Sequence, residues 1–115
     1  MLWVLRMDPR LKVFYSCYTE TIYVIFNTDG YERASKFRIY RDGEIIFEGL
    51  KEDFHHPEEF DRDNHTELFT KLSKHELCYH DMSVEKYQTY LYHVDFVDEE
   101  DNILLDTRVK IVKIE

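Results

Sequence analysis

Cys78 and His80 stand two positions apart, and on a β-strand that spacing puts a thiol and an imidazole on one face. This is the minimal pairing of a nucleophile with a base. Catalysis would also need an enclosed pocket and an oxyanion donor, and no motif around the pair supplies either. The expectation is therefore a non-enzymatic protein. Histidines crowd the second half of the chain at positions 55, 56, 65, 75, 80 and 93. The stretch His55-His56-Pro57-Glu58-Glu59, with Asp61, Asp63 and His65, has side chains of the types that hold a transition metal. Its spacings match no zinc signature such as His-Glu-x-x-His. The reading is of no metal site and no cofactor, with His55, His56 and His65 the nearest to ligands it offers. Asp98-Glu99-Glu100-Asp101-Asn102 lacks the glycine and the ligand period of a calcium loop.

The acids matter more for their distribution. Of 115 residues, 24 are acidic and 15 basic, a formal net charge of −9. Residues 1–50 carry seven of each sign, so residues 51–115 hold the whole excess. Within that half, Glu52, Asp53, Glu58, Glu59, Asp61, Asp63 and Glu67 form one cluster. Asp95, Asp98, Glu99, Glu100, Asp101 and Asp106 form another, with no base among them. Such a balance opposes direct binding to a phosphate backbone, which calls for a basic surface. Apolar residues at 43%, with nine tyrosines and eight phenylalanines, argue against disorder and for one packed core. No apolar run approaches the roughly 20 residues of a membrane span, and the N-terminal segment does not read as a secretory signal.

The elements that position these residues are short strands. Alternation marks Leu11 to Tyr15 and Thr21 to Phe26, and Asn27-Thr28-Asp29-Gly30 then breaks the pattern. Phe37 to Tyr40 leads through Arg41-Asp42-Gly43-Glu44 into Ile45-Ile46-Phe47, an Asp-Gly hairpin signal. Leu77 to Tyr79, Thr89 to Val97 and Ile103 to Ile114 complete the set. Six or seven strands without helices between them predict an all-β antiparallel sandwich or barrel. Residues 51–75 are too long for a hairpin loop, and Asn64 to Leu72 carries an N-cap and an apolar stripe that predict a short helix around residues 65–73. By alternation Cys78 points outward, and Cys17 inward with Leu11, Val13 and Tyr15. That opposes a disulfide and predicts two free thiols in a reducing cytoplasm.

These elements resemble a fibronectin type III domain, or a close immunoglobulin-like relative, along nearly the whole of residues 1–115. Asp8-Pro9-Arg10-Leu11-Lys12-Val13 is similar to the opening strand, and Ile22, Val24 and Phe26 to the second strand's inward row. Phe26 stands where the family usually carries Trp. The most specific match is Val84 six positions before Tyr90, the spacing of a tyrosine corner, followed by inward Tyr92, Val94 and Phe96. Phe96, where a small residue is usual, and the missing Trp imply a repacked core. The resemblance implies a single immunoglobulin-like two-sheet sandwich of about seven strands, with residues 51–75 inserted between the fourth and fifth. It carries only a general expectation of protein binding.

That topology would bring the connections 27–36, 51–75 and 98–102 to one pole, uniting both acidic clusters. The leading expectation is thus a module that binds a protein, one with a basic surface, through Glu58, Glu59, Asp61, Asp63, Asp98, Glu99, Glu100, Asp101 and Tyr31, together with a Tyr-bearing sheet face. Some of the many tyrosines would form an exposed patch, or else cross-strand pairs on a sheet face. Two alternatives stand beside it: a small acidic inhibitor, viral or phage, that imitates nucleic-acid phosphate to block a basic host protein, and a structural component of a virion or other assembly. Oligomeric state is not readable.

Overall fold

Alternation along each strand drives the architecture, because every second side chain must leave water together. The computed structural model describes residues 10–55 and 75–115. Among the described residues, eight strands run in chain order: β1 (Leu11–Ser16), β2 (Thr21–Asn27), β3 (Lys36–Arg41), β4 (Glu44–Leu50), β5 (Glu76–Asp81), β6 (Thr89–Val97), β7 (Ile103–Asp106) and β8 (Lys110–Lys113). One antiparallel sheet has the order β1-β2-β5. The other has the order β4-β3-β6-β7, with β8 also paired to β6. The helix read around residues 65–73 lies outside the described residues, as do Glu58, Glu59, Asp61, Asp63, His56 and His65.

Between the sheets lies a phenylalanine-rich core. Phe26 on β2 meets Phe37 at 5.2 Å and Phe96 at 5.9 Å between ring centroids, and Phe37 meets Phe96 edge-on at 5.2 Å. Phe54, just beyond a short 3₁₀ turn (Lys51–Asp53), adds a perpendicular ring 5.2 Å from Phe26. Several mid-sized rings thus fill the centre of the sandwich, in the tilted and edge-on geometries aromatic pairs favour. Leu11, Ile22, Val24, Ala34, Ile39, Leu77, Tyr92, Val94, Val112 and Ile114 complete the buried cluster.

Local chemistry sets the turns. Asp42 and Gly43 both have positive φ, 53° and 85°, as a two-residue hairpin loop requires. The Tyr90 hydroxyl accepts a hydrogen bond from the Glu85 amide at 2.9 Å, closing the corner that the Val84–Tyr90 spacing predicted. The last strand departs from expectation, dividing into β7 and β8. Thr107 takes over both polar groups of Val94: its amide donates to the Val94 carbonyl at 2.9 Å, and its hydroxyl accepts from the Val94 amide at 2.9 Å. A side chain replaces a ladder carbonyl here, and regular pairing to β6 resumes only at Lys110.

The cysteine readings need correction. Strand β1 ends at Ser16, so Cys17 sits in the following turn and is exposed rather than inward. Cys78 is on the side of its sheet away from the main core, as alternation required, but it is fully buried there. Tyr23 and Ile25 are buried beside it and Phe14 packs against them, a second apolar cluster that the sequence pattern did not reveal. Both thiols are free.

Candidate functional site

Three loops gather at one end of the sandwich. The Ser35 amide donates to the Val97 carbonyl at 2.9 Å, the Thr28 amide to the His75 carbonyl at 3.0 Å, and Arg33 lies 3.9 Å from Asp98. A shallow groove of ≈ 580 Å³ runs between Ala34, Ser35, Lys36, Leu50, Lys51, Glu52 and Glu99. Its rim therefore carries lysines as well as glutamates.

The four acids of the 98–102 connection divide into two kinds. Asp98 is buried, and its side chain accepts from the amides of Glu100 and Asn102, both at 2.9 Å, and from the Asn102 side chain at 3.2 Å. Hydrogen bonds from Asn102 lead the causes that hold its carboxyl below the usual range. Asp101, at φ 66°, is hydrogen-bonded to Lys36 and lies 3.7 Å from Arg38. That contact with Lys36 lowers its carboxyl as well. Both side chains are committed to shaping the loop. Glu99 and Glu100 are exposed and form no ion pair with a described residue. Tyr31 is half-buried, edge-on to Phe96 at 5.4 Å with the Arg10 guanidinium 4.7 Å above its ring.

The tyrosines do not form a patch of their own. Only Tyr18 and Tyr87 are strongly exposed, both at the opposite pole. The outer face of the five-stranded sheet instead carries a line of mixed side chains in consecutive register. Ile45 faces Tyr40, Tyr40 faces His93, Leu91 lies two residues from His93 on the same face, and Leu91 faces Ile111. Ile45, Leu91 and Ile111 are 52%, 40% and 69% exposed. Tyr40 and His93 stack with centroids 4.2 Å apart and planes within 10°.

Toward the loop pole the same face turns polar. His93, Asp95 and Asp106 offer ligand-type atoms within 4.8 Å of one another. Asp95 and Asp106 are register partners on β6 and β7, so two acids stand directly opposite. Arg38 is the register partner of Asp95 on β3, yet its guanidinium goes to Glu48 at 2.8 Å. Burial, with Asp106 reinforcing it, pushes the Asp95 carboxyl above the ordinary range. Burial and the Asp95 carboxylate raise the Tyr40 phenol similarly. Charge counting along the chain grouped Asp95 and Asp106 with the acids of the 98–102 connection, although both lie in segments already read as strands. The signal was present in the His93-x-Asp95 alternation, which places both on one face.

Burial opposes a thiolate–imidazole pairing of Cys78 with His80. Burial raises the thiol well beyond the thiolate range, and burial together with His55 lowers His80 to about 4. His55 is joined to Cys78 by an isolated bridge and stacks on His80 at 5.2 Å, which places it against the second apolar cluster. Among the described residues no helix is long and apolar enough to cross a membrane.

No protein-family model matches the chain, and no curated protein matches it. Among solved structures, an Fn3-like protein from Clostridium thermocellum superposes with a TM-score of 0.58 at 14% identity, covering 91% of this chain and 88% of that one. A family 28 exopolygalacturonase from Yersinia enterocolitica superposes with a TM-score of 0.54 at 10% identity, covering 91% of this chain and 20% of that one. Identities this low speak to architecture alone: the chain has the fold of a fibronectin type III-like β-sandwich.

Proposed function

We propose that the chain is a non-enzymatic interaction module that binds a protein partner through the outer face of its five-stranded sheet. Glu99 and Glu100, on the adjoining loop, meet basic residues of that partner. The reading is carried by one observation, the in-register line of Ile45, Tyr40, His93, Leu91 and Ile111 across four strands, with three aliphatic side chains left in water. Exposed aliphatics flanking a stacked aromatic pair have the composition of an interface core with a polar rim. Asp98 and Asp101 serve it indirectly, by fixing the loop that presents Glu99 and Glu100, while Tyr31 packs on Phe96 just before that loop.

The test is affinity capture of a partner followed by direct measurement of its binding to three forms of the protein. Replacing Leu91 and Ile111 with Ser should weaken binding at least about tenfold. Glu99→Gln with Glu100→Gln should cost less and should flatten the salt dependence. A captured protein that binds the Leu91→Ser/Ile111→Ser form as tightly as wild type would overturn the reading.

A further inference from the structure

We propose that His93, Asp95 and Asp106 form a binding site for a divalent transition-metal cation of the zinc class, on the outer face of the five-stranded sheet. The inference does not depend on the partner-binding reading, because it rests on ligand geometry rather than on exposed apolar surface.

Like charges directly opposite on neighbouring strands destabilise a sheet, yet Asp95 and Asp106 are register partners. Asp95 is only 4% exposed, and its Oδ1 is buried without a hydrogen-bond donor among the described residues. A buried carboxylate oxygen in that state costs free energy unless something positive completes it. The cation nearest in register, Arg38, does not complete it, being engaged by Glu48 at 2.8 Å and by Asp101 at 3.7 Å. His93 and Asp106 each bring a ligand-type atom within 4.8 Å of an Asp95 oxygen, with His93 Nε2 3.7 Å from Asp106 Oδ1, and the His93 ring is stacked on Tyr40. The strand break after Asp106 lies beside the cluster. Thr107 occupies the backbone groups of Val94, so β7 ends at Asp106, beside His93 and Asp95.

Ligand type and spacing then select the ion. One imidazole and two carboxylates suit zinc and its first-row neighbours, whereas calcium prefers an all-oxygen shell of six to eight ligands. Around a tetrahedral ion with bonds of about 2.0–2.1 Å, neighbouring ligand atoms sit about 3.3 Å apart. The three atoms within 4.8 Å would close on such an ion through a small rotation of Asp106, whose side chain is 64% exposed. Three protein ligands leave a fourth position to water, the arrangement of an open site.

The experiment titrates zinc into the full chain by calorimetry and by thermal melting, with cobalt absorption in the visible range as a reporter of coordination geometry. Wild type should bind one saturating equivalent and melt higher with zinc, while calcium leaves melting unchanged. His93→Gln and Asp106→Asn should each weaken zinc about a hundredfold. Asp95→Asn should abolish the zinc-induced rise while the metal-free protein melts no lower than wild type, which separates lost ligation from lost folding. A form with His55, His56 and His65 all changed to Gln should bind as wild type does. Zinc binding that survives both His93→Gln and Asp106→Asn, that disappears in the His55/His56/His65 form, or that never saturates would overturn the proposal.

Discussion

Asp81 and Asp95 are both strand aspartates withdrawn from water, one 1% and the other 4% exposed, and their surroundings are opposite. Asp81 points between the sheets. It accepts from the Tyr92 hydroxyl at 2.6 Å, Arg41 Nη1 at 2.9 Å, the Ser83 hydroxyl at 2.8 Å and the Ser83 amide at 3.1 Å. Burial alone would raise its carboxyl, but hydrogen bonds from Tyr92, Ser83 and Arg41 outweigh burial and leave it below the ordinary range. Asp95 points to the outer face, opposite another acid and beside the Tyr40 hydroxyl, with its Oδ1 lacking a donor among the described residues. A buried carboxylate with both oxygens supplied with donors ties a fold together, and one with an oxygen left over is a cost that the rest of the fold must offset. The first residue is a structural staple between β5 and the five-stranded sheet, and the second is a position held ready for something absent from the chain itself.

Removing the staple should give the largest effect. Asp81→Ala leaves the Arg41 charge and the Tyr92 hydroxyl without their shared acceptor, and should cost about 3–5 kcal/mol by equilibrium denaturation. The pH dependence follows from the sign of the shift. Because the folded-state pKa of Asp81 is depressed, its contribution is present above the unfolded value of about 4 and is lost as pH falls through the folded value. The stability difference between wild type and Asp81→Asn should therefore shrink below pH ~4 and be constant above pH ~5. A difference that grew on acidification would mean that the carboxylate is not what Arg41 and Tyr92 require.

The staple and the strand framework were not equally legible in sequence. Period-two alternation identified Ile22, Val24 and Phe26, the Asp42-Gly43 hairpin and the Val84–Tyr90 corner, since each depends on neighbours close in the chain. Asp81 is 40 residues from Arg41 and 11 from Tyr92, so its role appears only once the two sheets face each other. Even so, Phe37-Ile39-Arg41 and Leu77-Tyr79-Asp81 each end an inward row on a charge, and opposite charges at inward positions must meet. The cluster of His93, Asp95 and Asp106 was hidden differently. Counting charge along the chain merged strand acids with loop acids, although a strand separates neighbours onto opposite faces. The burial of Cys78 escaped for a similar reason, because alternation assigns a face but does not say whether that face is covered.

Asp95→Asn should move stability the other way from Asp81→Ala and by less. In metal-free protein at neutral pH it removes one of two opposed charges, and should raise stability by about 0.5–1 kcal/mol. Chemical denaturation in the presence of a chelator measures it. A loss of more than about 1 kcal/mol would break the comparison, since it would give Asp95 the anchoring role reserved here for Asp81.

The smallest effect belongs to acids that are neither stapled nor strained. Glu99 and Glu100 are exposed at the turn that Asp98 organises with its own hydrogen bonds. Converting both to Gln leaves every hydrogen bond of that loop in place, so the melting temperature should stay within about 2 °C of wild type. Asp98→Asn changes the same formal charge by one unit, but it puts an amide where two backbone N–H groups and Asn102 now converge on a carboxylate. It should lower the melting temperature more than the double Glu substitution does. Thermal melting of the two forms side by side decides the point. If the double substitution were the more damaging, the exposed pair would carry structure, and its use for recognising a basic partner would lose its physical basis.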